Sequence, residues 1–141
     1  MLHVLIHMDR HQGAVTSEAI AAMLNANPVV IRRTMAGLRD RGYVRSGKGH
    51  GGGWTLALGL DRISLLDVYR AVGEPSLFAV GPASDDPDCL VEQAVNARLG
   101  QALAEAETLL LARFGEITLA DIARDFDGRM AEVGEAALVA R

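Results

Sequence analysis

Cysteine occurs once in the 141 residues, at Cys89, which removes an intrachain disulfide and any cluster or structural zinc site built from several thiolates of one chain. No apolar run reaches the roughly eighteen residues that a helical membrane span requires. The opening residues Met1-Leu2-His3-Val4-Leu5-Ile6-His7-Met8-Asp9 lack the basic region and small-residue cleavage site of an export signal. Together these absences lead to the expectation of a cytoplasmic protein with no membrane partner. Lysine is nearly missing too: thirteen of the fourteen basic residues are arginine, which favours planar, directional contacts over diffuse attraction. What is present, half apolar and 23% charged, is the composition of one compact unit.

The net charge of −4 conceals an asymmetry. Residues 1–60 hold seven basic side chains against three acidic, a balance of +4, whereas the remaining 81 residues stand at −8. The first part is therefore suited to a polyanion, and the second keeps the molecule in solution or faces something else.

Apolar spacing and capping residues divide the chain further. A first helix through Leu2, Val4, Leu5, Ile6 and Met8 ends near Gln12-Gly13, and because it opens at residue 1 without a cap it is expected to continue a longer helix. Thr16 or Ser17 caps a second helix, with Ala19, Ile20, Met23 and Leu24 on one buried face. After Asn25-Ala26-Asn27, Pro28 opens a third helix that Gly42 closes. In it Val30 or Ile31, Met35 and Leu38 recur at inward spacing, which leaves Val29, Arg32, Arg33, Ala36, Arg39 and Asp40 outward. Two helices joined by a three-residue turn form a helix-turn-helix candidate. Next come a strand at Tyr43-Val44-Arg45, a glycine-rich tip carrying Lys48, His50, Gly51 and Gly52, and a returning strand from Trp54 to Leu58. Ser64 caps a short helix to Val72. The expected fold is thus mainly α with a small β-hairpin: a winged helix-turn-helix domain at 1–72, a linker at 73–88, a long helix with a short following helix at 89–128, and a tail at 129–141.

From Cys89 to Phe114, with Asp88 as cap and Gly115 as stop, an apolar stripe runs for about 39 Å at roughly 1.5 Å per residue. Val91, Val95, Leu99, Leu103, Ala106 and Leu110 lie on it, and a helix this long in a small protein packs on a partner subunit.

Several segments together resemble the Rrf2 (BadM-type) winged-helix transcriptional regulators: Thr16-Ser17-Glu18-Ala19-Ile20-Ala21, then Asn27-Pro28-Val29-Val30-Ile31-Arg32-Arg33, Leu38-Arg39 to Gly42-Tyr43-Val44, Gly51-Gly52-Gly53-Trp54, and Ile63-Ser64-Leu65-Leu66-Asp67-Val68. The likeness spans the chain to about residue 128. It implies a homodimer joined through the long helix, a recognition helix in the major groove of double-stranded DNA and a wing at the adjacent minor groove. On that reading Ser17, Asn27, Pro28, Val29, Arg32, Arg33 and Arg39 meet DNA from the helices, and Lys48, His50, Gly51 and Gly52 from the wing. Arginine can read guanine edges or hold phosphates. The implied function is a regulator, expected to be a repressor on a palindromic operator; a protein-binding adaptor on the same scaffold is the alternative.

Many members of this family hold an iron–sulfur cluster on three closely spaced cysteines at the start of the long helix. With Cys89 alone, no cluster and no other cofactor are expected. Cys89 is instead the candidate redox sensor, at a helix start that favours a thiolate and beside Asp85, Asp86 and Asp88, which oppose one. The effector is then an oxidant or a small molecule. His3, His7 and His11 recur every four residues, but no carboxylate or thiol completes a metal site. No enzyme is expected: no nucleophile has a recognisable setting, and a strand follows 47–53 where a phosphate loop needs a helix.

Overall fold

In the computed structural model, residues 1–11, 13–49, 51–81 and 88–139 are described, 133–139 by backbone alone. The elements in order are α1 (Leu2–Arg10), α2 (Ser17–Leu24), α3 (Pro28–Asp40), β1 (Val44–Gly47), β2 (Gly53–Leu56), a single 3₁₀ turn (Leu60–Arg62), α4 (Leu65–Ala71), α5 (Leu90–Glu116) and α6 (Leu119–Val139).

Local chemistry starts most of these helices. Thr16 Oγ1 accepts the Ala19 N–H at 3.1 Å, and Asn27 Oδ1 accepts that of Val29 at 2.8 Å with Pro28 in the first turn. Ser64 and Asp67 form a reciprocal capping box at α4, and Thr118 and Asp121 repeat the pattern at α6. Each such cap stabilises its helix by about 1 kcal/mol.

The core lies under α1–α4. Leu5, Ile20, Met35, Leu38 and Ile63 are fully buried in it, and so is Leu119 from the start of α6. Burial of a leucine removes enough apolar surface to stabilise by about 2 kcal/mol, and backbone bonds reinforce it: Leu65 N–H donates to Ile117 O at 2.9 Å and Leu119 N–H to Ile63 O at 2.8 Å. The chain therefore returns from α5 into the first unit before α6 departs.

Several expectations require correction. On α2, Ala19 and Met23 are exposed; Ile20 is buried and Leu24 half-buried as expected, and Ser17 and Ala21 join them, so the inward face is rotated from the expected one toward Ser17 and Ala21. Of the two alternatives left open on α3, Ile31 is the buried one and Val30 is exposed, with Met35 and Leu38 inward as expected. The second strand ends at Leu56 rather than Leu58. Cys89, not Asp88, is the N-cap of α5, and the helix passes through Gly115 to Glu116. The following helix does not stop near Phe126 but runs to Val139. Of the linker at 73–88, residues 82–87 lie outside the described residues, Asp85 and Asp86 among them, as do Gln12, His50 and the end of the tail.

Candidate nucleic-acid interface

The turn between α2 and α3 closes on Asn25 in the left-handed conformation (φ 48°), and α3 emerges with its first turns facing outward. Val29 is 65% exposed; Arg32, Arg33 and Arg39 are exposed, and Pro28 is half-buried. Beside α3 stands the hairpin, in antiparallel register from Val44 opposite Leu56 to Gly47 opposite Gly53. Its second strand is tied to the segment before α2: Val15 and Trp54 exchange backbone hydrogen bonds at 3.0 and 2.9 Å. Its tip closes with Gly52 N–H donating to Gly49 O. A Cβ on Gly52 would lie 2.7 Å from Gly47 O, so only glycine permits this turn.

Three elements thus converge on one face. The start of α2, Arg32 of α3, and Ser46 and Gly52 of the wing line a shallow depression of about 290 Å³. Not every predicted side chain is available there. Ser17 is buried and its Oγ accepts the Trp54 indole N–H at 2.9 Å, which corrects its placement as a residue facing DNA: its hydroxyl holds the wing against α2. Asn27 is exposed, with its Oδ1 engaged in the cap. Arg32 pairs with Glu18 at 3.1 Å, and Arg39 with Asp40 through Nε and Nη2. By contrast Arg33 and Lys48 have no ion pair among the described residues, and Gly51 is exposed at the tip. Arg45 is a further exposed cation, on β1, that the sequence reading passed over. The signal was strand alternation, since Val44 points inward and the next residue must point out.

On the long helix, Val91 and Val95 are 72% and 57% exposed, Ala106 is exposed, and Leu99, Leu103 and Leu110 are half-buried; no described residue of α5 is buried. Its C-terminal part packs on α4, where Phe114 meets Tyr69 edge-on. Cys89 is half-buried and makes no side-chain capping bond. The His3 and His7 rings meet tilted, with centroids 4.5 Å apart, and His11 caps the C-terminus of α1. No three His, Cys, Asp or Glu side chains among the described residues gather as a metal site. No described helix is long and apolar enough to cross a membrane.

The Rrf2 family model, described as an iron-dependent transcriptional regulator, matches residues 1–125. YwnA of Bacillus subtilis (strain 168), named as an HTH-type transcriptional regulator, is 32% identical over 124 residues, 86% of this chain and 90% of its own. YwgB of the same organism, named likewise, is 40% identical over 68 residues, which spans 48% of this chain and less than half (44%) of that relative. A crystal structure from Lactobacillus plantarum, titled a transcriptional regulator, superposes with a TM-score of 0.73 at 25% identity, covering 96% of this chain and 94% of the other. A single thiol does not fit the three-cysteine cluster site that iron dependence brings to mind.

Proposed function

The chain belongs to the Rrf2 family of DNA-binding transcriptional regulators, and from that premise we propose that it acts as a homodimeric repressor on a palindromic operator. Arg33, Arg45 and Lys48 supply cations to DNA, and α3 reads the major groove beside the wing. The observation that carries the dimer is α5: 27 residues, about 40 Å, with no residue buried and Leu90, Val91 and Leu109 each more than two-thirds exposed. A second copy of the same helix removes that surface from water, and a two-fold axis through the pair matches two half-sites in the DNA.

The proposed regulator works without a cluster, because its lone cysteine cannot assemble one. Its signal is a small molecule or an oxidant acting at Cys89, and Cys89→Ser separates the two. The test is a pull-down of sheared genomic DNA with the purified protein, with reductant and with oxidant, beside the Arg32→Ala, Arg33→Ala double variant. A palindrome enriched by the parent and lost by the double variant is expected, with a dimer in sedimentation that Val95→Glu converts to monomer. No enriched sequence in either condition overturns the operator reading and favours a protein-binding adaptor.

A further inference from the structure

Between α1 and α6 lies a partly enclosed cleft of about 350 Å³, within the roughly 300–1,000 Å³ of small-molecule sites. Leu2, Ile6, Ile122 and Phe126 make its lining largely apolar, and the side chains of His3, His7 and Arg10, all from α1, complete it. Resting on the reading above for its regulatory meaning, we propose that this cleft binds a small monocarboxylate with an aryl or short alkyl body.

The charge of the site selects the anion. No acidic side chain lines the cleft among the described residues, whereas Arg10 brings a guanidinium with five N–H donors. Asp127 engages it through one nitrogen, Nη2 to Oδ1 at 2.5 Å, and both side chains are exposed, so the pair is weakly held and leaves donors free. Arg10 also lies over the Phe126 ring, 4.7 Å from its centroid, a contact that holds the guanidinium against the apolar lining. The imidazoles of His3 and His7, tilted against each other, add N–H donors one and two turns away on the same helix. A few donors set in a largely apolar cleft suit an amphipathic acid. A helix from a second copy would need a long open stripe of the kind α5 presents.

Occupancy has a structural consequence. α1 places Val4, Leu5 and Met8 in the core that Ile31, Met35 and Leu38 of α3 also enter, and α6 is joined to α5 through Ile117 and Thr118. A ligand touching both walls sets the tilt between the DNA-binding unit and the long helix, and so the separation of two recognition helices in a dimer.

The experiment titrates the full chain calorimetrically with 4-phenylbutyrate, 4-phenylbutanamide and 4-phenylbutylamine, which share a body and differ in charge. Saturable binding of the acid is expected, with the amide and amine at least about ten-fold weaker. Arg10→Gln weakens the acid by about ten-fold with Tm nearly unchanged, and Ile122→Trp, which fills the cleft, abolishes it. No saturable acid binding, equal binding of the three probes, or an acid indifferent to Arg10→Gln overturns the proposal. So does an Ile122→Trp variant that turns dimer into monomer while the acid fails to bind, which would make the cleft an interface between copies. The titration contains no DNA: acid binding without operator binding supports this site while removing the operator reading, and the reverse result overturns the site alone.

Discussion

The indole N–H of Trp54 donates to Ser17 Oγ at 2.9 Å, with both residues more than nine-tenths buried, so the returning strand of the wing and the first turn of α2 share one hydrogen bond inside the fold. Ser17→Ala leaves a buried donor without its partner, which costs about 1–3 kcal/mol. Urea unfolding followed by the fluorescence of Trp54, the chain's only tryptophan, reads that loss directly. Operator affinity should fall as well, because the wing loses its tether to the helix-turn-helix. A variant as stable as the parent would show that water replaces the serine and that the wing is held by other means.

Gly37 lets α3 approach α4. A Cβ there would stand 2.4 Å from the carbonyl oxygen of Ala71, and a backbone oxygen cannot move aside as a flexible side chain can. Gly37→Ala is therefore expected to destabilise by about 1–3 kcal/mol, although alanine is the better helix former. Gly100→Ala in α5, with nothing within 4 Å of the new methyl, is the matched control and should stabilise by up to about 1 kcal/mol. Opposite signs in thermal unfolding check the pair; equal effects would mean that α3 and α4 separate at little cost.

Those two residues also show which parts of the molecule were legible in the sequence. Caps and first-turn residues act over two or three positions, so Thr16, Pro28 and Ser64 disclosed where helices begin, and the glycine-rich run between two short strand-like segments disclosed the hairpin. The partner of Ser17 lies 37 residues away, and nothing local distinguishes a hydroxyl that meets an indole from one that meets solvent. The sequence places a tail from residue 129, yet α6 continues through Gly128, since one glycine costs a helix only about 1 kcal/mol and Met130, Ala131 and Glu132 follow it. The cleft beneath Arg10 was beyond local reasoning: its walls stand more than a hundred residues apart and meet only because Leu119 is drawn into the first core.

Asp67 links α4 to Tyr43 just ahead of the wing and carries the clearest pH signature. Burial pushes its carboxyl up, but the Ser64 backbone N–H, the Tyr43 and Ser64 hydroxyls and the nearby Arg70 together hold it below the ordinary 3.8. A carboxyl lowered in the folded state contributes stability that is present above its unfolded value and is lost as pH falls through the folded one. Stability should therefore decline as pH drops below about 4, and Asp67→Asn should flatten that decline while lowering stability at pH 7. Tyr43 acts at the other end: burial, then its hydrogen bond to Asp67, raises the phenol above 10.0. Its contribution is present below the unfolded value and lost as pH rises past it. Urea midpoints measured from pH 3 to pH 11 for parent and variant test both limbs, and parallel curves would count against Asp67 as the source of the acid limb.

Lys48 stands alone as the chain's only lysine, exposed on the wing tip, with no ion pair among the described residues. Arg32 differs: its guanidinium already meets Glu18, so part of what it gains from DNA is offset by the pair it gives up. A cation on a phosphate releases counterions on binding, and each such contact adds about 0.9 to the slope of log affinity against log salt. Lys48→Ala should therefore lower that slope by about 1 and weaken operator and random DNA alike. Glu18→Gln should do the opposite, raising affinity for both by freeing Arg32 before contact. Anisotropy titrations of a labelled operator and a scrambled duplex across a range of salt separate these effects. A Lys48→Ala variant that keeps the parental slope yet loses discrimination between the two duplexes would place this lysine on a base edge instead of the backbone.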